Sequence, residues 1–490
     1  VASHFCSFIF SFKLAAKLNK CAKKIIDRNS LEVPNMHQNI RKIDIIKAGY
    51  KTAFSSLKSL IGFQRLCEIG WLVSGQAVSI ILGFVSMKLL TSMGTKEFGK
   101  YSLVLTIAAF VSAVLYGPAE QGFVRFYYIF SNKGKAGTYI RIFYKFLLAA
   151  GCSFLIIALL AIPFNWLLKT SESSSGILTM GIYIIFSCSS NLFNSMLNLL
   201  RKRKANTVLQ ITERVLTIVF LFLLGYSTKP TANNSLFAIL VALIIVVIVK
   251  AKVLNRYIPK DILPSKAVDV KERREIIKVI VTFSIPFAIW GVTGWMQSNS
   301  ERWVIAKYLS TADVGIFSIM AILANYLVAM PSSMISQFMQ PIIYENISAG
   351  DDLPRQVKGK KVLKYLVITI IAVAVFSTIF SAIFGRYIIL LVSNKEFVAY
   401  WYILPILCVG IGIFNIAQAL INVGVVSNVP KIYLFPKIIT GIFALLSNLY
   451  FISRLGIIGI AISICITSTF YLLLIIFINS RLKKSFDNIA

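Results

Sequence analysis

Four charged residues stand in stretches that otherwise read as membrane spans. Glu213 and Arg214 lie in QITERVLTIV, and Glu301 and Arg302 in QSNSERWVIA. An ionised side chain inside a bilayer is costly, so it faces either a charged partner or a wet cavity. The planar fork of an arginine suits an oxyanion such as a diphosphate or an acidic sugar. A glutamate beside it either neutralises the arginine or carries a coupling proton or cation. Glu213 and Arg214 follow Lys204 by about ten residues, roughly 15 Å of helix rise, which puts them near the midplane. Sequence neighbours on a helix point about 100° apart, so neither pair is bound to be an internal salt bridge. Arg125, Arg141 and Lys145 belong near the inner face, where they either anchor the topology or dock a diphosphate. Arg141 and Lys145 are four apart and share a helix face.

A second class of candidate is neutral. Ser187, Asn191, Asn194 and Asn198 recur at helical spacing in SCSSNLFNSMLN. Asn415, Gln418 and Asn422 do the same, as do Asn325, Ser332, Ser336 and Gln340. One polar face on an apolar helix serves helix–helix hydrogen bonding or sugar hydroxyls. Three such faces favour a hydrophilic lumen. The chain offers little for catalysis. Its two histidines, His4 and His37, both precede the first span, its seven cysteines are scattered without a CxxC, and no DxD occurs. No metal, no cofactor and no enzyme activity are expected.

The elements that must position these residues are membrane helices. Of 490 residues, 57% are hydrophobic and 14% charged, with mean hydropathy +0.77. A soluble domain has about 45–50% apolar and about 25% charged residues. Twelve runs between 68 and 480 reach the roughly 20 apolar residues a span needs. With loops assigned alternately to two sides, 41 of the 51 Lys and Arg fall on the side of the N-terminal tail. By the positive-inside rule both termini are cytoplasmic. That bias accounts for most of the net charge of +32 without nucleic acid. The RKRK cluster at 201–204 suits a topological anchor or contact with anionic membrane lipid. The segment FCSFIFSF at 5–12 is too short for a signal peptide, and Lys13, Lys17, Lys20 and Lys24 suit a helix on the membrane surface.

TKEFGKYS at residue 95 returns as TADVGIFS at residue 311. Upstream, Ser74-Gly75 and Lys88 return as Thr293-Gly294 and Lys307. Both copies cover a first helix, its outer loop and the start of a second helix, so the two halves run in the same sense. The expected fold is all-α: a polytopic membrane protein with twelve transmembrane helices in two parallel six-helix lobes around a central cavity. The tail is 1–66, the first lobe 67–254, the linker 255–279 and the second lobe 280–490. Within the repeated phrase, Thr95 and Thr311 are expected to cap the next helix, with Glu97 or Asp313 in its first turn. Gly99 and Gly315 are expected to permit close helix approach.

Three stretches, KLLTSMGTKEFGKYSL at 88–103, PAEQGFVRF at 118–126 and SIPFAIWGVTGWMQSNSERWVIAKYLSTADVGIFS at 284–318, resemble the polysaccharide transporters, or O-antigen flippases. That family shares a superfamily with multidrug extruders and peptidoglycan lipid flippases. The resemblance implies a bacterial inner-membrane flippase for a polyisoprenyl-diphosphate-linked oligosaccharide, working beside other polysaccharide-assembly membrane proteins. It also implies an acid–arginine pair where Glu301 and Arg302 stand. A cation-coupled multidrug extruder is the alternative within transport, and a membrane glycosyltransferase or polymerase is the alternative outside it.

The topology has a direct check. In a background without native cysteines, a cysteine at 172 labels from outside intact cells, and one at 266 only after the membrane is opened. Labelling of 266 in intact cells contradicts the assignment.

Overall fold

The computed structural model describes residues 63–167, 174–227, 230–257, 270–347, 353–426 and 429–487. The expected surface helix of the tail and the middle of the linker lie outside the described residues. The chain divides into two units, Val1–Val78 and Ser79–Ala490. The first is described only from Phe63, as the opening turns of a helix.

Every long element among the described residues is a helix. In the first half these are α1 (Phe63–Thr91), α2 (Gly94–Asn132), α3 (Ala136–Leu167), α4 (Ser174–Leu199), α5 (Arg203–Ser227) and α6 (Ala232–Tyr257). The second half opens with α7 (Val270–Tyr308) and α8, which runs from Thr311–Ala324 into Met330–Ile347. Then come α9 (Leu353–Val392) and α10 (Ile403–Leu420). The last helical stretch, Leu434–Asp487, has 54 residues. At about 1.5 Å per residue it is more than twice the roughly 30 Å of a hydrocarbon core. It breaks at Gly456, whose φ of 60° and ψ of −139° lie outside the helical region and are open to glycine. The break yields α11 (434–455) and α12 (457–487). Eleven described segments are long and apolar enough to cross a membrane, and the break divides the eleventh into two crossings.

The outer faces of these helices are what a bilayer needs. On α9, Phe376, Ile383, Tyr387 and Leu391 are exposed, and on α3 Leu148, Ile157 and Leu160 are exposed. Water does not tolerate so much contiguous apolar surface.

The duplication is visible in detail. Both α2 and α8 carry a π turn at mid-length, Ser112–Tyr116 and Asn325–Ala329. The first helix of each half packs on the other half. Phe84 of α1 meets Tyr326 of α8 edge to face at 5.2 Å, and Lys88 donates to the carbonyls of Leu390 and Ser393 at the end of α9. In the same way Trp295 and Trp303 of α7 donate their indole N–H groups to the carbonyl and hydroxyl oxygens of Thr106 on α2, at 2.7 and 2.8 Å.

The two copies of the repeated phrase lie on each other. A Cβ on Gly99 would run into the carbonyl of Thr311, and one on Gly315 into the carbonyl of Thr95. Each would also lie 3.1 Å from the other glycine's nitrogen. One turn on, the buried hydroxyls of Ser102 and Ser318 bond at 2.5 Å. The expected role of the glycines is therefore met, while the expected caps are corrected. Ser310, not Thr311, caps α8 by accepting from the Asp313 amide at 3.2 Å, and Met93 precedes α2 without a side-chain cap. The reason is position: both threonines already lie within the helix, where their carbonyls face the opposite glycine. Glu97 instead accepts from the first amide of α6, at Ala232, at 2.9 Å.

Gly99→Val tests this junction, since overpacking costs about 1–3 kcal/mol. The expected result is a lower melting temperature in detergent, while Gly225→Ala, with nothing within 4 Å, leaves it unchanged or slightly raised.

Candidate functional site

The charges expected inside the bilayer resolve into separate clusters. In the first half, Glu213 pairs not with Arg214 but with Lys250 of α6. Lys250 Nζ donates to Glu213 Oε2 at 2.8 Å and to Ser190 Oγ at 2.6 Å. Ser190 in turn donates to Glu213 Oε2 at 3.0 Å, which closes the triangle. Lys250 is fully buried, and Glu213 keeps a quarter of its side chain exposed. Burying a lysine this completely demands a partner of opposite charge. Arg214, one residue on, is exposed, stands near Tyr101 and Tyr183, and has no carboxylate at salt-bridge distance among the described residues.

The polar face of α4 sits between two carboxylates. At about 100° per residue, Ser187, Asn191, Asn194 and Asn198 share one side of the helix. Ser190, on one flank, holds Glu213 of α5. Ser195, on the other, donates to Glu120 Oε1 of α2 at 2.6 Å. Asn191 is exposed, Ser187 and Asn194 are half-buried, and Leu192 is buried. Asn194 Oδ1 has no hydrogen-bond partner among the described residues. Arg125 on α2 and Arg141 and Lys145 on α3 are all exposed. Tyr139 ties these two helices together by donating to the Phe123 carbonyl at 2.8 Å.

In the second half, Glu301 and Arg302 form an ion pair at 3.2 Å despite being sequence neighbours. Glu301 is 4% exposed, and its Oε2 has no hydrogen-bond partner among the described residues. Arg302 reaches into the junction between the halves, where its Nε donates to Ser318 Oγ at 3.1 Å. Asn415 turns back to its own helix and donates to the Ile411 carbonyl at 2.8 Å. Gln418 stands beside Tyr471. Lys437 of α11 is 5% exposed and donates to Gln297 of α7 at 2.7 Å, over the rings of Phe414 and Tyr471.

Lys250, Lys437 and Glu120 were not singled out in the sequence. Lys250 and Lys437 count there as cations flanking a span, although each lies inside a helix and is buried. The available signal is the apolar run that leads into Lys250, IIVVIVK, and the apolar neighbours of Lys437 in LFPKIITGIF.

The geometry defines a class, a helical membrane protein built by duplication. The comparisons with solved structures agree. A multidrug resistance MATE family transporter of the MOP superfamily, inward-facing, superposes with TM-score 0.62 at 12% identity, covering 83% of this chain and 96% of that one. The lipid II flippase MurJ, in an inward closed conformation, superposes with TM-score 0.61 at 14% identity, covering 83% and 86%. A MOP superfamily transporter from Pyrococcus furiosus, described as having a binding pocket of reverse polarity, gives 0.53 at 13% identity, covering 84% and 94%. No curated protein matches the chain. Residues 66–346 match the polysaccharide biosynthesis protein family, and the chain belongs to that family.

The Lys250–Glu213 pair generates a stability test. Lys250→Met leaves the glutamate without its partner, at a cost of about 2–4 kcal/mol given the partial exposure of Glu213. The double change with Glu213→Gln recovers most of that loss in thermal unfolding. Additive losses contradict the pairing.

Proposed function

We propose that the chain is a flippase that moves a polyisoprenyl-diphosphate-linked oligosaccharide, an O-antigen or similar surface polysaccharide unit, from the inner to the outer leaflet of a bacterial inner membrane. The observation that carries this reading is Arg214, exposed on α5 without a carboxylate partner among the described residues, near Tyr183 of α4, the helix that carries the amide face. An unpaired arginine in a span calls for an anion, and the amides of Asn191 and Asn194 call for hydroxyls. One bilayer-spanning path that offers both suits a sugar on a diphosphate. The family to which the chain belongs, and a lipid II flippase of the same fold, support a lipid-linked substrate.

In this reading Arg125, Arg141 and Lys145 receive the diphosphate at the inner mouth. Arg214 and then Arg302 hold it, while Ser187, Asn191, Asn194, Asn415 and Gln418 hydrogen-bond the sugars. The isoprenoid tail stays in lipid. The halves part at the α2–α8 junction to open the outer side, so transport is by alternating access. Glu213 and Glu301 neutralise cations or couple transport to an ion. A cation-coupled multidrug extruder remains the second reading. Glu120 favours it, as a half-buried carboxylate held by a serine hydroxyl with no cation partner among the described residues.

The test is export in cells that lack their own flippase, at matched protein level. Arg214→Ala with Arg302→Ala is expected to cut surface polysaccharide at least about tenfold, equivalent to about 1.4 kcal/mol. Arg→Lys at the same sites restores only part, because a point charge lacks the two-toothed contact. Drug efflux without polysaccharide export favours the second reading.

A further inference from the structure

The geometry points to Lys437 as a second anion anchor, in the second half of the chain, that takes the carrier's diphosphate when α11 moves. This rests on the flippase reading and adds a residue to it.

Lys437 stands one turn into α11, after a short 3-10 turn at Pro430–Tyr433. A lysine so close to a helix end ordinarily extends its ammonium to the water at the interface. This one does the opposite. Its Nζ donates to Gln297 Oε1 at 2.7 Å. Gln297 precedes the end of α7 at Tyr308 by about eleven residues, roughly 16 Å of rise, so the ammonium is drawn toward the bilayer interior. It lies 4.8 Å from the centroid of Phe414 and 5.4 Å from that of Tyr471. Those rings stack on each other at 5.5 Å.

No carboxylate pairs with Lys437 among the described residues. The charged and titratable groups around it can be named. Tyr471 of α12 and Tyr433 before α11 are both fully buried. Glu301, one turn beyond Gln297 on α7, gives its Oε1 to Arg302. Gln418 of α10 is neutral. An ammonium has three N–H groups, and here one amide oxygen accepts. The Tyr471 hydroxyl is buried beside the Gln418 side chain. A buried ammonium with one amide acceptor and no carboxylate partner among the described residues fits an oxyanion. The aromatic faces hold the ammonium until it arrives.

The duplication supplies the second argument. α11 is the fifth helix of its half, as α5 is of the other. Among the described residues each half has one intramembrane ion pair, Lys250–Glu213 or Arg302–Glu301. Each fifth helix then carries a further cation with no acid partner among the described residues, Arg214 or Lys437. A diphosphate has at least two negative charges to share between them.

The experiment uses the purified full chain in lipid nanodiscs with inorganic diphosphate as the probe, read by calorimetry and by melting temperature. The wild type is expected to bind and to be stabilised. Lys437→Met binds at least about tenfold more weakly, and without diphosphate it melts no lower than the wild type, since it removes a buried uncompensated charge. Lys437→Arg keeps the charge and stays closer to the wild type in affinity than Lys437→Met does. Wild-type affinity in Lys437→Met overturns the proposal, as does absence of binding in the wild type. So does a lower melting temperature of unliganded Lys437→Met with equal loss of affinity in both variants, which marks a packing role. A wild type that binds diphosphate yet restores no polysaccharide export removes the flippase reading and leaves the anion site standing.

Discussion

The two halves of this protein meet where two glycine backbones touch. Gly99 and Gly315 bring α2 and α8 so close that neither position has room for a methyl group. The closeness is what puts Ser102 against Ser318 and lets Arg302 reach Ser318. The contact is self-complementary because it is a duplicated phrase packed on its own copy, as in a two-fold interface between identical subunits. It is also a joint of small side chains and few hydrogen bonds. The proposed alternating access requires this joint to separate.

The same duplication organises the charges. Two cations are balanced inside the span by carboxylates, Lys250 by Glu213 and Arg302 by Glu301. These pairs are tied into the packing, through Ser190 in one half and through Ser318 in the other. Arg214 and Lys437 are different, because no acid among the described residues answers them. A bilayer imposes a large penalty on unmatched charge, so a chain that keeps two such cations is suited to an anionic cargo. Arg214 is held by no such pair, whereas Arg302 reaches a substrate only when the α2–α8 junction that holds it parts.

Much of the fold was legible in the sequence, because membrane spans write themselves in length and hydropathy. The twelve runs, the parallel halves and the close approach at Gly99 and Gly315 follow from residue types and spacing alone. Gly456 breaks the last helical stretch within a few residues of the expected division. Each π turn ends two residues before a proline, Pro118 or Pro331, which has no N–H with which to continue the helical ladder. The charged site was only half legible. Sequence showed that Glu213, Arg214, Glu301 and Arg302 lie in spans, but the partner of Glu213 is 37 residues away on α6. Lys437 was hidden for a related reason. Near a helix end a lysine reads as an anchor, and only the path of its side chain to Gln297 shows otherwise.

The central claim is that the α2–α8 junction must open for transport. Ser102→Cys with Ser318→Cys places two thiols where the hydroxyls now bond at 2.5 Å, close enough for a disulfide without moving the helices. Surface polysaccharide should then fall when the pair is oxidised and return on reduction, while either single variant exports normally under both conditions. Undiminished export with the cross-link fully formed would contradict the account.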